Sequence, residues 1–273
     1  MLNKLIGYEF KSTRRIFLPA YAVIFVLSLL NGIFMLPANS MNSLMMPLGV
    51  LMTIYILAMF AVCILTFAYM INRFYKNLLG DEGYLMFTLP ARPSQLIWAK
   101  CITSSLWMLF TTIVCSVSVF VLIVPSMISE IPFADLTLIR QQLSFGMHTL
   151  WQNYSIHLFF IPLLAMVVGI VWIANFCMHI YACLSVGSLA NKHRLGFAFL
   201  AYLGFSVLSE ILMLIVMNIA NHLHINIDLN ALVPNLTAQV YVALLLFLLF
   251  YIIKLAINFV ISNYILTRHL NLQ

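Results

Sequence analysis

The sequence predicts an all-α integral membrane protein, with an amphipathic helix at the N-terminus followed by six transmembrane helices. Hydrophobic residues make up 64% of the 273 residues and charged residues only 7%, whereas soluble domains average about 45–50% apolar and about 25% charged residues. In water, 7% charged residues could not cover the apolar core that 64% hydrophobic residues would form. Lipid must therefore be the solvent for much of the surface. The apolar residues are spread along the chain, which excludes a soluble body with a single anchor.

The first element, residues 1–15, is predicted to be an amphipathic helix that lies in the headgroup region. Leu2, Leu5, Ile6 and Phe10 fall on one side at helical spacing, whereas basic residues occupy other positions and two arginines end the segment. A helix with one apolar and one basic side lies at the membrane interface. The alternative is a frayed terminus.

Six apolar stretches follow, and each has the roughly 20 residues that a membrane span requires. The breaks between them are rich in proline, asparagine and serine, which favour turns. The predicted spans are residues 16–36, 46–72, 96–124, 156–186, 196–221 and 237–265. Several are longer than the bilayer needs, which indicates tilt or extension beyond the lipid.

The basic residues predict the orientation, because lysine and arginine concentrate at the cytoplasmic ends of spans. With the N-terminus inside, eleven of the 13 basic residues lie at cytoplasmic ends, Arg140 lies outside and Lys254 lies within a span. Both termini of this multi-pass chain are therefore expected in the cytoplasm. The net charge of +6 arises from these scattered residues rather than from a basic patch, so no nucleic-acid partner is expected.

The longest outer loop, residues 125–155, contains apolar residues at near-helical spacing. These are Leu136, Ile139, Leu143 and Met147. The spacing favours an amphipathic helix on the outer face of the membrane.

The cytoplasmic loop, residues 73–95, is the segment that most strongly indicates a partner. Asp81 and Glu82 favour the start of a short helix, since acidic groups are stabilised near a helix N-terminus, and Pro90 ends it. The helix carries a large apolar load, namely Tyr84, Leu85, Met86 and Phe87. A loop this short cannot bury that load itself, and exposed apolar patches mark contact sites. Docking onto a separate protein is predicted; the alternative is that these side chains enter the lipid interface or pack under neighbouring spans.

The same loop carries a resemblance to a known family. The run from Asn77 to Pro90, NLLGDEGYLMFTLP, resembles the first intracellular loop of ABC type-2 exporter permeases from Gram-positive bacteria. The likeness extends over most of the chain through the basic N-terminal helix, the six spans and an asparagine-containing C-terminal tail. It implies a multi-pass permease subunit of a bacterial cell membrane, of the kind that exports antimicrobial and toxin peptides.

The resemblance also implies a role for each part of the chain. Residues 1–15 would be the connecting helix, residues 16–273 the transmembrane domain, and residues 73–95 the coupling loop. The coupling helix, which fits a groove on a cytoplasmic ABC ATPase subunit, would comprise Asp81, Glu82, Gly83, Tyr84, Leu85, Met86, Phe87 and Thr88. Two permease chains, identical or different, would pair in the lipid, each with one ATPase. The cargo is expected to be amphipathic, such as a peptide.

No enzymatic activity is expected of this chain. The phosphate-binding pattern G-x-x-x-x-G-K-[ST] does not occur in the sequence, so ATP and Mg²⁺ are expected on the separate ATPase. Histidines such as His157 and His179 do not pair at matching depth on facing spans, so no haem or metal is expected. No catalytic residues and no resident cofactor are predicted.

Two ionisable residues are predicted to lie inside the membrane, Glu210 in span five and Lys254 in span six. A charge at the bilayer centre costs at least about 2.5–3.5 kcal/mol on insertion scales and usually marks pairing or function. Three alternatives are open for Lys254: its ammonium extends to the inner interface, pairs with Glu210, or contacts substrate. Glu210 could instead be a hydrogen-bonded packing residue.

A polar stripe on span six is expected to face a partner helix or a cavity rather than lipid. Its members are Tyr251, Lys254, Asn258 and Ser262, at helical spacing. The intramembrane charges also support an alternative function, in which the chain is an autonomous secondary transporter or channel that uses Glu210. A single acidic residue without an internal repeat makes that coupling apparatus sparse.

Overall fold

A computed structural model gives the fold of the chain over residues 2–38, 45–80, 92–130, 133–154, 156–190, 193–222 and 236–268. All of the regular structure in these ranges is helical. The helices are α1 (Leu2–Ala38), α2 (Met45–Phe74), α3 (Pro93–Glu130), α4 (Phe133–Tyr154), α5 (His157–Gly187), α6 (Arg194–His222) and α7 (Leu236–Arg268), and a π-helical turn, Tyr75–Leu79, follows α2 directly.

Six of these helices are long and apolar enough to cross a membrane, and their best windows have mean hydropathies from 1.3 to 2.6. They are α1, α2, α3, α5, α6 and α7, which correspond to the six predicted spans. The prediction of an all-α membrane protein with six spans is thereby confirmed. The shorter helix α4 lies within residues 125–155, the predicted outer loop, but α3 continues through Pro125 to Glu130, so this loop begins later than predicted.

Helix α1 runs without a break through the predicted junction between residues 15 and 16. At 1.5 Å per residue its 37 residues extend about 55 Å, whereas the hydrocarbon core is about 30 Å thick. Several turns must therefore lie outside that core. Pro19, one turn into the first predicted span, does not interrupt the helix, so a change from headgroups to lipid requires no break in the backbone. The headgroup position of residues 1–15 stays a prediction.

The described chain divides into two compact units. Unit I comprises residues 3–70 and 106–153, and unit II comprises residues 1–2, 71–105 and 154–273. The division falls within α2 and α3, because each of these helices contributes its two ends to different units.

In unit I, side-chain hydrogen bonds join α1, α2 and α3. The hydroxyl of Thr111 on α3 bonds to the hydroxyls of Tyr21 on α1, at 2.7 Å, and Thr66 on α2, at 3.1 Å. Nearer the start of α2, the hydroxyl of Tyr55 lies 2.8 Å from that of Ser118 on α3. Such bonds hold spans together in lipid, where apolar burial between helices contributes little.

An aromatic cluster packs the N-terminal part of α1 against α3 within unit I. The indole of Trp107 stacks on Phe10 and Phe17, with ring centroids 4.7 and 4.5 Å away. Its Nε1 donates a hydrogen bond of 2.7 Å to Oγ1 of Thr13. Phe10, expected on the apolar side of an interfacial helix, therefore packs on a neighbouring helix.

Unit II is centred on the C-terminal half of α5, where residues 177–185 are all buried. A helix that is enclosed on every side is the core of its unit. The contacts His157–Tyr241 and Asn175–Asn258 lie eighteen residues apart on α5 and seventeen apart on α7, so these two helices run parallel.

Helices α5 and α6 form an antiparallel hairpin in unit II. His193, immediately before α6, adopts a left-handed φ of 58°, which turns the chain sharply. Gly187 then lies so close to Ala198 that a Cβ added to the glycine would be 2.6 Å from the alanine Cβ. The hairpin therefore requires glycine at this position.

Candidate functional site

The predicted docking residues, Asp81 to Thr88, lie outside the described residues, but both flanks of their loop are described. On the N-terminal side, the π-helical turn Tyr75–Leu79 buries Leu78 and Leu79. On the C-terminal side, the first turn of α3 buries Leu96 and Ile97. Single π-helical turns are rare and occur frequently at functional sites. The loop is thus fixed to unit II at both ends.

Tyr181 of α5 contacts the segments on both sides of the loop. Its ring stacks on Phe74 at the end of α2, with centroids 4.0 Å apart and planes within 9° of parallel. Its hydroxyl makes a short hydrogen bond with the hydroxyl of Ser104 on α3. Both aromatic side chains are at most 1% exposed. A displacement of either flank therefore acts directly on α5.

Polar side chains of α5, α6 and α7 meet near Asn175, which lies six residues from Tyr181 on α5. Nδ2 of Asn258 donates to Oδ1 of Asn175 at 3.4 Å, and both side chains are buried. Nζ of Lys254 donates to Oγ of Ser209 at 3.5 Å. These bonds join the three helices, and their residues together with His179 and Ser262 are called the polar layer below.

Two residues of the polar layer, His179 and Ser262, have buried atoms without hydrogen-bond partners. His179 is only 7% exposed, and its Nδ1 has no partner; the Oγ of the fully buried Ser262 has none either. The imidazole lies between rings of α6, with centroids 5.3 Å from Tyr202 and 6.4 Å from Phe205. Unpartnered buried polar atoms are rare in proteins, and each calls for an explanation.

Three of the four predicted intramembrane residues are buried or half-buried, and the fourth is exposed. Asn258 lies in the polar layer, Lys254 is half-buried beside it, and Tyr251 is half-buried and stacks on Phe247 with centroids 6.4 Å apart. Glu210 is exposed. Within the described part of the chain, Glu210 and Lys254 form no ion pair; the lysine instead bonds to Ser209, the neighbour of Glu210 in sequence.

Sequence reasoning missed the α5 and α6 members of the polar layer. Asn175 and His179 are one helical turn apart, a spacing that places both on one side of α5. This i, i+4 pair of polar residues within an apolar span was the available signal, because the same spacing occurs at Asn258 and Ser262. Ser209 gave no signal, since isolated serines in spans usually bond to their own backbone.

The chemistry of the polar layer is that of recognition rather than catalysis. It presents an ammonium, two amides, two hydroxyls and an imidazole, with no carboxylate to orient the histidine as a base. Among the residues that the structure describes, no group of three or more metal-ligating side chains comes together. In comparisons with protein-family models, curated proteins and solved structures, none was similar to this chain.

Proposed function

We propose that this chain is the permease subunit of an ATP-binding cassette exporter in a bacterial cell membrane. A separate cytoplasmic ATPase would dock on the coupling loop, and a second permease chain would complete the transport path. The observation that carries the proposal is the fixation of the loop. The apolar residues at both of its described ends are buried, and Tyr181 of α5 contacts α2 before the loop and α3 after it. A loop that merely joined two spans would not need such attachment.

The fixation supports a route for mechanical coupling. Movement of the loop by the ATPase would pull on Phe74 and Ser104, which both contact Tyr181. Tyr181 lies six residues from Asn175 on the same helix, which corresponds to about 9 Å along the helix axis. Because packed helices move as rigid bodies, a shift of α5 would change its contact with Asn258 on α7. The nucleotide state of the ATPase would thus be coupled to the polar layer.

The cargo proposed for this path is amphipathic, such as a peptide. An apolar path with a small number of polar groups suits a molecule that has one polar and one apolar side. ATP binding would draw the two ATPases together and tilt the spans from an inward-open to an outward-open state. The direction of transport follows from the family resemblance and is part of the proposal.

The docking step can be tested by co-purification in mild detergent from the native cell. Replacing Tyr84 and Phe87 with alanine should remove a stoichiometric ATPase and abolish transport without changing the thermal stability of the permease. A matched control replaces Phe120 and Phe145, which are 71% and 72% exposed on α3 and α4, and should retain the ATPase. An ATPase that stays bound to the Tyr84 and Phe87 variant would refute docking through this loop.

A second candidate function is an autonomous transporter or channel that uses Glu210. The observation in its favour is that Glu210 is exposed and has no ion pair within the described part of the chain, since a carboxylate at that depth usually has a function. The test is ion-gradient-driven flux in liposomes that contain this chain alone. Flux that disappears in Glu210→Gln would favour this candidate, whereas absence of flux without an ATPase would favour the exporter.

A further inference from the structure

The polar layer contains the ammonium of Lys254, and both described side chains that contact it are neutral. Lys254 is half-buried in the middle third of α7, where it donates to the hydroxyl of Ser209 and lies 6.0 Å from the ring centroid of Phe250. An ammonium has three hydrogen atoms to donate, and one contact of 3.5 Å uses only one of them. No carboxylate of the described residues lies within ion-pair distance of it.

Two buried side-chain atoms elsewhere in the polar layer are also without partners. They are Nδ1 of His179 and Oγ of Ser262, whose side chains are 7% and 0% exposed. A serine hydroxyl can always donate, whereas each nitrogen of a neutral imidazole donates or accepts according to the tautomer. His179 lies one helical turn from Asn175 on the same side of α5. The remaining ammonium hydrogens of Lys254 and the hydroxyl of Ser262 therefore have no acceptor among the described residues.

An anionic group is the chemical complement of this arrangement. Carboxylates and phosphates accept charge-assisted hydrogen bonds from ammonium, imidazole and hydroxyl donors. Glu210, the sequence neighbour of Ser209, is exposed on α6 and forms no ion pair with the ammonium. A cationic ligand would be repelled by Lys254, and an uncharged apolar ligand would leave the donors unsatisfied.

The depth of the lysine indicates what carries the anionic group. Lys254 lies 18 residues from the start of α7 and 14 from its end, about 27 and 21 Å along the helix. A small hydrated anion would have to lose its water to enter at that depth. An amphiphile is already in the bilayer, and apolar side chains such as Phe205 and Phe250 flank the donors on α6 and α7.

We infer that the polar layer binds the carboxylate or phosphate group of an anionic amphiphile, with the ammonium of Lys254 as the charged contact. Such binding requires neither the ATPase nor a second permease chain. The identification of this amphiphile as the exported cargo rests on the proposed function and deepens it, because it specifies a negative group on the cargo.

The inference is tested by binding of radiolabelled palmitate and hexadecyl phosphate to the full chain in nanodiscs of zwitterionic lipid, with hexadecanol as the uncharged probe. Saturable binding of at least one anionic probe is expected, and the two probes distinguish a carboxylate from a phosphate ligand. Lys254→Met should weaken that binding about tenfold or more, as the loss of a charge-assisted hydrogen bond predicts. Hexadecanol binding that matches the anionic probes would overturn the inference.

Matched variants distinguish loss of the Lys254 charge from loss of the folded structure. Lys254→Met removes a charge from a span, so insertion should not be impaired, and Lys254→Arg should retain most of the affinity. Glu210→Gln should leave anion binding unchanged or strengthen it by removing a nearby negative charge. Lys11→Met, at an exposed position of α1, should have no effect. Equal affinities of wild type and Lys254→Met would refute the inference and leave ATPase docking untouched, whereas loss of docking would not alter this binding.

Discussion

Phe74 and Tyr181 stack face to face, with ring centroids 4.0 Å apart and planes 9° from parallel. Phe74 ends α2 immediately before the π-helical turn, and Tyr181 lies in the buried half of α5. The pair therefore joins one flank of the 73–95 loop to the helix that also carries Asn175. If the loop couples an ATPase to the polar layer, this pair is the first contact that transmits its movement.

The ring of Phe74 should contribute far more to stability than the hydroxyl of Tyr181. Phe74→Ala removes a fully buried ring and should lower the free energy of unfolding by about 3–5 kcal/mol. Tyr181→Phe keeps the stacked ring and removes only the hydrogen bond to Ser104, which should cost about 1 kcal/mol. Denaturant unfolding of both variants in one detergent measures the difference. Equal losses would mean that the stack is not the main contact.

The milder variant Phe74→Leu separates stability from coupling. Leucine fills most of the ring volume but cannot stack on Tyr181, so the chain should still fold and should still bind the proposed ATPase. Transport per ATP hydrolysed should then fall relative to wild type, because movement of the loop acts on α5 through a looser contact. Unchanged coupling in this variant would place the mechanical route elsewhere.

Gly187 should not tolerate a side chain, because α5 and α6 touch at this point. An added Cβ would lie 2.6 Å from Cβ and 2.7 Å from Cα of Ala198, and the backbone atom cannot move without shifting α6. Gly187→Ala should therefore destabilise the chain by about 1–3 kcal/mol, as overpacking does. Thermal unfolding of purified protein is the measurement.

Gly204 on α6 is the matched control, since nothing lies within 4 Å of the Cβ that alanine would add there. Gly204→Ala should be neutral or stabilise the chain by about 0.5–1 kcal/mol through the higher helix propensity of alanine. The double variant Gly187→Ala, Ala198→Gly should recover part of the loss, because it removes the clashing methyl group of residue 198 but leaves its backbone in place. Similar effects of the two glycine substitutions would contradict the close approach.

The spans could be predicted from the sequence because a helix that crosses lipid requires a long apolar run. Such a run is visible in one continuous stretch of sequence. The predicted span 237–265 thus corresponds to the observed helix Leu236–Arg268. The continuity of α1 is not evident from the sequence, because the change in charge pattern at Arg15 predicts a boundary that the backbone does not have. The Asn175–Asn258 hydrogen bond was not predicted either, since it depends on the register between two helices, which no local pattern contains. The role of the 81–88 segment stays a prediction.

The hydrogen bond between Trp107 and Thr13 should add to the aromatic packing of α1 on α3. Trp107→Phe keeps a ring against Phe10 and Phe17 but leaves no donor for Oγ1 of Thr13, 2.7 Å from the indole nitrogen. A double-mutant cycle with Thr13→Val should give a coupling free energy of about 0.5–1.5 kcal/mol. The same cycle with Thr53→Val, an exposed threonine of α2 bonded to its own helix, should give none. Coupling in both cycles would indicate a general loss of structure rather than this bond.

The amides of Asn175 and Asn258 should depend on each other, because each supplies the described side-chain partner of the other. Asn258→Leu leaves Oδ1 of Asn175 buried without a donor, which should cost about 0.6–2 kcal/mol for a polar contact in a membrane protein. The double variant Asn175→Leu, Asn258→Leu should cost less than the sum of the single variants, since no unpaired amide remains.

A control on α6 distinguishes this dependence from a general effect of leucine. Asn218 is exposed, so the changes in unfolding free energy caused by Asn218→Leu and Asn258→Leu should add. Unfolding in detergent measures stability, and binding of palmitate or hexadecyl phosphate measures recognition. If the amides only hold α5 and α7 together, the double variant should be stable and bind as wild type does. If they also orient the donors around Lys254, it should be stable and bind more weakly, because two apolar side chains cannot fix the position of the ammonium.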